Sequence, residues 1–112
     1  MKVIYIAGKY TAPDKKTKKN NIKYAEKTAQ QVWKRGMAAI CPHLNTKNWD
    51  NMIETEEFLE GYLSIVKKCD AVLLLNNWKD SERAEAEHWL ANTYNVPVFY
   101  NVNDLDRWNR MI

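Results

Sequence analysis

Short apolar runs alternate along the chain with longer segments in which hydrophobic residues recur every three or four positions. The apolar runs predict four strands, at 2–7, 37–41, 70–75 and 97–101. The longer segments predict four helices, at about 21–35, 55–68, 82–94 and 103–111. Strands that alternate with helices are typical of a parallel sheet that is covered on both faces. We therefore expect an α/β fold with a parallel sheet of four to five strands.

The polar segments between these elements predict loops, at 8–19 and at 43–52. The second loop is long enough to suggest a functional role. The run 70–75 is apolar at every position after its first residue, which favours a central strand. In the first helix, the residues expected to face the core are Ile22, Ala25, Ala29, Val32 and Trp33.

Open parallel sheets bind ligands beyond the carboxyl ends of their strands, so the loops that follow the four strands should face one crevice. The residues predicted to line it are Gly8, Lys9, Tyr10, Pro42, His43, Leu44, Asn45, the segment 76–81 and Asn101. Within that segment, Ser81 can cap the following helix or hold a phosphate at the helix N-terminus, and the two uses fit the sequence equally well.

Glu87 interrupts the apolar stripe of the helix that follows the central strand. The other members of the stripe are Ala84, Leu90, Ala91 and Tyr94. A carboxylate turned toward a core either raises its pKa or acquires partners, which is the profile of a catalytic group. The alternatives are a structural salt bridge to Lys9 or Arg83, or a position at a wet rim.

Composition limits the remaining possibilities. The length of 112 residues fits one small domain, and we expect it to span residues 1–112. The hydrophobic fraction of 46% and the charged fraction of 28% are ordinary for a folded protein. The net charge of +3 comes largely from the lysine run 15–19, which is weak evidence for nucleic-acid binding. No apolar stretch approaches the roughly 20 residues of a membrane span. We expect a cytoplasmic protein that binds neither nucleic acid nor membranes.

Cofactor and metal motifs are missing from the sequence. Cys41 and Cys69 have no CxxC spacing and no clustered histidines, so we expect reduced, structural thiols and no metal site. Gly8 stands alone, without a dinucleotide fingerprint or a Walker loop. We therefore expect no cofactor.

Several segments, in the correct order, resemble the nucleoside 2-deoxyribosyltransferase family. They are 3-VIYIAGKY-10, 21-NIKYA-25, 33-WKRGMAAICPHLNT-46, 69-CDAVLLLNNW-78 and 81-SERAEAE-87. The resemblance is closest to a short branch of uncharacterised phage and bacterial members, and the family is related to the 2'-deoxynucleoside 5'-monophosphate N-glycosidases. It implies a flavodoxin-like or Rossmann-like fold. It also implies that Glu87 is the nucleophile that attacks the anomeric carbon of deoxyribose and forms a glycosyl-enzyme ester.

The resemblance implies further roles in binding a nucleoside or nucleotide. Tyr10 matches an aromatic residue that lies near the sugar and can hydrogen-bond the nucleophile, so it is a second catalytic candidate. The candidate substrate-binding residues are Gly8, Lys9, His43, Asn45, Trp78, Ser81 and Arg83. Ser81 matches a phosphate-binding serine of the monophosphate glycosidases, which favours a monophosphate. Lys9 and Arg83 are expected to add positive charge for that phosphate, although either can be an ordinary surface residue.

Two positions depart from the family pattern. Arg83 stands where the family usually has glycine, and its bulk is expected to narrow the sugar pocket. Tyr62 aligns near an aspartate that assists proton transfer to the leaving base, and tyrosine, with a pKa near 10, is a poor acid or base at neutral pH. Glu60 or Asp80 are candidate substitutes. Asp70 starts the central strand, away from the crevice, and is expected to be structural.

The sequence thus predicts cleavage of the N-glycosidic bond of a 2'-deoxynucleoside or its 5'-monophosphate, by hydrolysis or by deoxyribosyl transfer. A non-catalytic nucleotide-binding module and an N-glycosidase acting on a nicotinamide dinucleotide remain alternatives. The family forms oligomers, and Trp89 and Trp108 project from helices at positions that the core does not require. We expect a homodimer or a larger homo-oligomer.

Overall fold

The computed structural model describes residues 1–111, which form four parallel strands and five α-helices. The strands are β1 (Val3–Ala7), β2 (Ala38–Ile40), β3 (Ala71–Leu74) and β4 (Val98–Phe99). The helices are α1 (Lys15–Lys34), α2 (Pro42–Asn45), α3 (Thr55–Val66), α4 (Glu82–Thr93) and α5 (Val102–Arg110), and a single 3-10 turn (Trp78–Asp80) precedes α4. The four predicted strands and four predicted helices are confirmed, and α2 is an addition to them.

The sheet has the strand order β2-β1-β3-β4. Ile4 of β1 pairs with Ala39 of β2 on one side and with Ala71 of β3 on the other. The chain therefore places β2 on one side of β1 and then crosses over to place β3 and β4 on the other side. In such sheets the crevice for ligands opens where the order reverses, at the carboxyl ends of β1 and β3.

Alternate residues of the strands supply two separate cores. Ile4, Ile6 and Leu73 pack on the side of α1 and α5, whereas Tyr5 and Leu74 pack on the side of α3 and α4. This is the period of two that a strand imposes on its side chains. The predicted parallel sheet with helices on both faces is confirmed.

The first helix begins earlier than predicted. Asp14 caps it, because Oδ1 of Asp14 accepts a hydrogen bond from the backbone N–H of Thr17 at 2.7 Å. The lysine run 15–19, predicted to be loop, is therefore the first turn of α1. The prediction of an uninterrupted loop over 43–52 is also wrong, since Pro42 at the first helical position starts the short helix α2.

Two aromatic residues predicted to face the core are exposed. Trp33 is 55% exposed and Tyr94 is 54% exposed. Val32 occupies the core position in the last turn of α1 and leaves Trp33 at the edge of the apolar stripe. Tyr94 follows the last residue of α4, beyond the part of the helix that covers the sheet, and the amine of Lys67 lies 4.6 Å from the centre of its ring.

Asp70 has the structural role that was expected of it. Its Oδ2 accepts a hydrogen bond from the backbone N–H of Val3 at 2.7 Å, which ties β3 to β1 at the edge opposite the crevice.

Cys41 and Cys69 are both free thiols, and burial raises the pKa of each to about 11. Among residues 1–111, none of the helices has the length and apolar character needed to cross a bilayer.

Candidate active site around Glu87

Glu87 lies inside the protein, on the face of α4 that packs against the sheet. Its side chain is 1% exposed, and its neighbours along the stripe, Ala84 and Ala91, are fully buried. The helix is held in register by Ser81, whose Oγ accepts a hydrogen bond from the backbone N–H of Ala84 at 3.1 Å. The inward direction predicted for Glu87 is confirmed.

The partner of Glu87 is Tyr5, from the middle of β1. The hydroxyl group of Tyr5 donates a hydrogen bond to Oε2 of Glu87, and Tyr5 itself is completely buried. No Lys or Arg side chain within residues 1–111 lies within salt-bridge distance of Glu87, so the predicted alternative of an ion pair to Lys9 or Arg83 is wrong.

Burial controls the charge of this pair. It raises the pKa of Glu87 to about 7, although the positive charge of Arg83 and the hydrogen bond from Tyr5 act in the opposite direction. The pKa of Tyr5 is raised well above its usual value of 10 by burial and by the neighbouring carboxylate. Tyr5 therefore keeps its proton and donates a hydrogen bond, while Glu87 changes its charge near neutral pH.

Sequence reasoning missed Tyr5. One signal was present, because a tyrosine inside a buried strand must place its hydroxyl against a polar partner. The partner itself was hidden, since it depends on β1 and α4 lying on the same face of the sheet although Tyr5 and Glu87 are 82 positions apart.

Tyr10 does not make the contact that was predicted for it. Its hydroxyl donates a hydrogen bond to Oδ1 of Asp50 at 3.1 Å, and Asp50 also forms an ion pair with Lys18. Its ring meets His43 edge-on, with 5.9 Å between the ring centres. Tyr10 thus lies at the crevice, but Tyr5 holds the hydrogen bond to the proposed nucleophile.

Arg83 lies between the rings of two tyrosines. Its guanidinium carbon is 5.2 Å from the ring centre of Tyr62 and 6.0 Å from that of Tyr10. It lines a cavity of about 310 Å³, together with Tyr10, Thr11, Asp50, Thr55, Phe58, Leu59 and Glu82. This volume is at the lower end of the range of small-molecule sites.

Tyr62, which was predicted to align near a catalytic aspartate, lies beside Arg83. It is 3% exposed, and its ring meets that of Tyr5 edge-on at 6.4 Å. Its hydroxyl shares a hydrogen bond with Oγ1 of Thr46 at 2.8 Å and accepts another from Nδ2 of Asn45 at 3.3 Å. Asn45 therefore supports Tyr62, in addition to the substrate contact predicted for it.

His43 is buried and neutral. Its Nε2 lies 3.0 Å from the backbone oxygen of Lys9, which can only accept, so this nitrogen carries the proton. Burial lowers the pKa of His43 to about 4. His43 connects α2 to the loop after β1. Because the side chain is 1% exposed, a ligand reaches it only if these two segments move apart.

Gly8 is required by the packing of two loops. A Cβ atom added to it would lie 2.5 Å from Cδ1 of Leu75 and 2.9 Å from Oδ1 of Asn77. The same oxygen of Asn77 accepts a hydrogen bond from the backbone N–H of Lys9 at 2.9 Å. The loops after β1 and β3 therefore lie in direct contact at the crevice.

Comparison with known proteins identifies the family. Residues 2–100 match the family described as a domain of unknown function, DUF4406. The chain belongs to the DUF4406 family. No curated protein matches this member of the family in sequence.

Among solved structures, this DUF4406 domain is similar to a 2-deoxyribosyltransferase from the psychrotolerant bacterium Bacillus psychrosaccharolyticus. The TM-score is 0.59 at 16% sequence identity, and the match covers 93% of this chain and 90% of the other. At this identity the match establishes a common fold, and the predicted flavodoxin-like or Rossmann-like class is confirmed.

Trp78 belongs to a cluster of aromatic rings beyond the ends of β3 and β4. Its ring centre lies 4.6 Å from that of His88 and 6.4 Å from that of Tyr100. Tyr100 is 54% exposed, so the cluster borders solvent on the α4 side of the sheet.

Within residues 1–111, no three His, Cys, Asp or Glu side chains are grouped to hold a metal ion.

Proposed function

We propose that this DUF4406 domain, acting as a single unit over residues 1–112, cleaves the N-glycosidic bond of a 2'-deoxynucleoside or its 5'-monophosphate. The observation that supports this most is the buried Glu87, paired with the hydroxyl of Tyr5 on the helix that follows the central strand. The fold that it shares with a 2-deoxyribosyltransferase adds support.

In the proposed reaction, Oε1 of Glu87 attacks the anomeric carbon of the deoxyribose. Oε2 accepts the hydrogen bond from Tyr5, which leaves Oε1 as the oxygen that forms the new bond. The bond from carbon to the base breaks, and its electron pair leaves with the base, which takes up a proton. A glycosyl ester of Glu87 remains, and water or a second base then displaces the carboxylate and regenerates it.

The proton for the departing base needs a donor. Tyr62 is held by Thr46 and Asn45 and contacts Tyr5 and Arg83, so we assign it the task of positioning these two residues. Glu60 lines a separate groove with Leu63 and Lys67. Asp80, exposed in the turn that leads into α4, is the other candidate substitute.

A phosphate on the substrate fits the start of α4. Oγ of Ser81 accepts from the backbone of Ala84, and its own O–H remains able to donate to a phosphate oxygen. The N-terminus of α4 is favourable for an anion, and Arg83 follows two positions later. Capping alone also explains Ser81, so substrate preference has to decide between the two uses.

The main rival is a non-catalytic module that binds a nucleotide. It is favoured over the other rivals because Glu87 is 1% exposed and is therefore closed off from a bound ligand. The test is free-base release, measured by chromatography, from a panel of deoxynucleosides, their 5'-monophosphates and a nicotinamide dinucleotide. We expect release from deoxynucleoside forms, with exchange of bases in the presence of a second base if the protein is a transferase. Binding without release would favour the module, and release of nicotinamide alone would favour the dinucleotide reaction.

A further inference from the structure

Glu87 is closed off from solvent, so a substrate cannot reach it without a movement of the side chains around it. Two of these neighbours are fixed in the core. Tyr5 is 0% exposed and Tyr62 is 3% exposed, and both are held by hydrogen bonds. A route to Glu87 through either of them would disrupt the packing between the sheet and α3.

Arg83 is the neighbour that can move. It is partly exposed and stands one helical turn before Glu87. Side chains on a helix lean toward its N-terminus, so the carboxyl group of Glu87 lies beneath the turn that carries Arg83. The guanidinium rests on the rings of Tyr62 and Tyr10 and borders the cavity of about 310 Å³. Arg83 therefore borders the cavity from a position one turn of α4 before Glu87.

The charge of Arg83 is not neutralised by an ion pair. Within residues 1–111, no carboxylate lies within 4 Å of its guanidinium nitrogens. Of the two acids in the cavity wall, Asp50 is paired with Lys18, and Glu82 is exposed at the start of α4. A guanidinium binds a phosphate through two parallel hydrogen bonds, which are stronger than its contacts with two aromatic rings.

We propose that Arg83 makes the site selective for a substrate with an anionic group, such as a 5'-phosphate, by covering Glu87 until that anion draws the guanidinium away. This inference rests on the proposed function. It assigns Arg83 two effects that act together: an uncharged deoxynucleoside is excluded because the cover stays in place, and a monophosphate is admitted because it binds the residue that moves.

The test compares base release from one deoxynucleoside and its 5'-monophosphate by the wild-type protein and by Arg83→Ala. We expect the wild type to prefer the monophosphate. Arg83→Ala removes both the anion contact and the cover, so its kcat/KM should fall on the monophosphate and rise on the nucleoside. The preference should decrease by about ten- to a hundredfold, the value of a charge-assisted hydrogen bond. Arg107→Ala, which removes an exposed arginine of α5 on the other face of the sheet, should leave the preference unchanged.

Arg83→Met separates the two effects, because it keeps a long side chain over Glu87 and removes the charge. We expect it to be slow on both substrates. As a measurement without turnover, 2-deoxyribose 5-phosphate should raise the melting temperature of the wild type and have no such effect on Arg83→Met.

The outcomes distinguish this inference from the proposed function. An unchanged preference in Arg83→Ala, or an equal loss on both substrates, would overturn the role of Arg83 while Glu87-dependent release continued to support the reaction. If no substrate released its base with the wild-type protein, the proposed function would fail, and this inference with it.

Discussion

At the scale of single residues, the carboxyl group of Glu87 connects the folding of the protein with its proposed chemistry. Burial of an ionised carboxylate is costly, and one hydrogen bond from Tyr5 offsets only part of that cost. The resulting pKa is about 7, so at neutral pH about half of the molecules carry the negative charge that a nucleophile needs. This burial lowers the stability of the folded protein, and in the proposed reaction it places the pKa of the nucleophile near neutral pH.

The first prediction concerns the stability of Glu87→Gln. The pKa of Glu87 is about 7 in the folded protein and 4.5 in its usual environment, so the folded state holds its proton more tightly. The contribution of Glu87 to the free energy of unfolding should therefore decrease as pH rises from 4.5 to 7 and change no further above that range. The shift corresponds to about 3 kcal/mol.

Glu87→Gln lacks this titration. Denaturant unfolding should show the variant gaining stability relative to the wild type across the same range of pH. Glu85→Gln, an exposed position on the same helix, serves as the control and should show no such trend. A difference between Glu87→Gln and the wild type that does not vary with pH would contradict the raised pKa.

A second prediction concerns Tyr5→Phe. Loss of the hydroxyl removes a hydrogen bond that lowers the pKa of Glu87, so the pKa of Glu87 should rise further. The pH profile of kcat/KM should rise with a midpoint near 7 in the wild type and move to higher pH in the variant. Tyr94→Phe, an exposed tyrosine, is the control. An unshifted midpoint in Tyr5→Phe would show that Tyr5 does not tune the nucleophile.

At the scale of secondary-structure elements, the site depends on close packing of the loops that follow β1 and β3. Gly8 and Asn77 meet at this point, and the backbone of Lys9 is held there by the side chain of Asn77. The loops thereby fix the carboxyl end of β1, which follows Tyr5 and leads into the loop that carries Tyr10.

Glycine substitutions test this packing. Gly8→Ala places its Cβ against Leu75 and Asn77 and should lower the free energy of unfolding by about 1–3 kcal/mol. Gly61→Ala is the matched control, because an added Cβ in α3 meets nothing within 4 Å. It should stabilise the protein by about 0.5–1 kcal/mol. Equal effects of the two substitutions, measured by denaturant unfolding, would contradict the close contact at Gly8.

The elements also show how far the sequence predicts the structure. The strands were predictable because their apolar runs are uninterrupted, and α4 was predictable because Ser81 supplies a cap within the local sequence. The start of α1 was missed, since the polar first turn has no apolar period and depends on the cap at Asp14. In the site, the inward direction of Glu87 follows from helical geometry, whereas its pairing with Tyr5 follows from tertiary structure and has no local signal.

At the scale of the whole molecule, the exposed tryptophans bear on assembly. Trp89 of α4 is 66% exposed, two positions after Glu87. Trp108 was expected to project from its helix, and this prediction is wrong. Its ring packs on Phe99 with 5.1 Å between ring centres, and the amine of Lys2 lies over it. Trp89 is therefore the residue on which the proposed homo-oligomer depends.

We predict that light scattering at micromolar concentration gives the mass of a dimer or of a larger assembly. Trp89→Ala should shift the protein toward the monomer, because it removes exposed apolar area from the proposed interface. Trp33→Ala, which removes a tryptophan of similar exposure from α1, should not. A monomeric wild-type protein throughout this range would refute the assembly.

The central claim is that Glu87 breaks a glycosidic bond, and the most direct test is release of free base by three proteins in parallel. They are the wild type, Glu87→Ala and Glu85→Ala, each given the same 2'-deoxynucleoside 5'-monophosphates. We predict release by the wild type and by Glu85→Ala, and loss of release by at least about a thousandfold in Glu87→Ala, as expected when a covalent nucleophile is removed. Release that persists in a folded Glu87→Ala protein, or no release by the wild type, would contradict the claim.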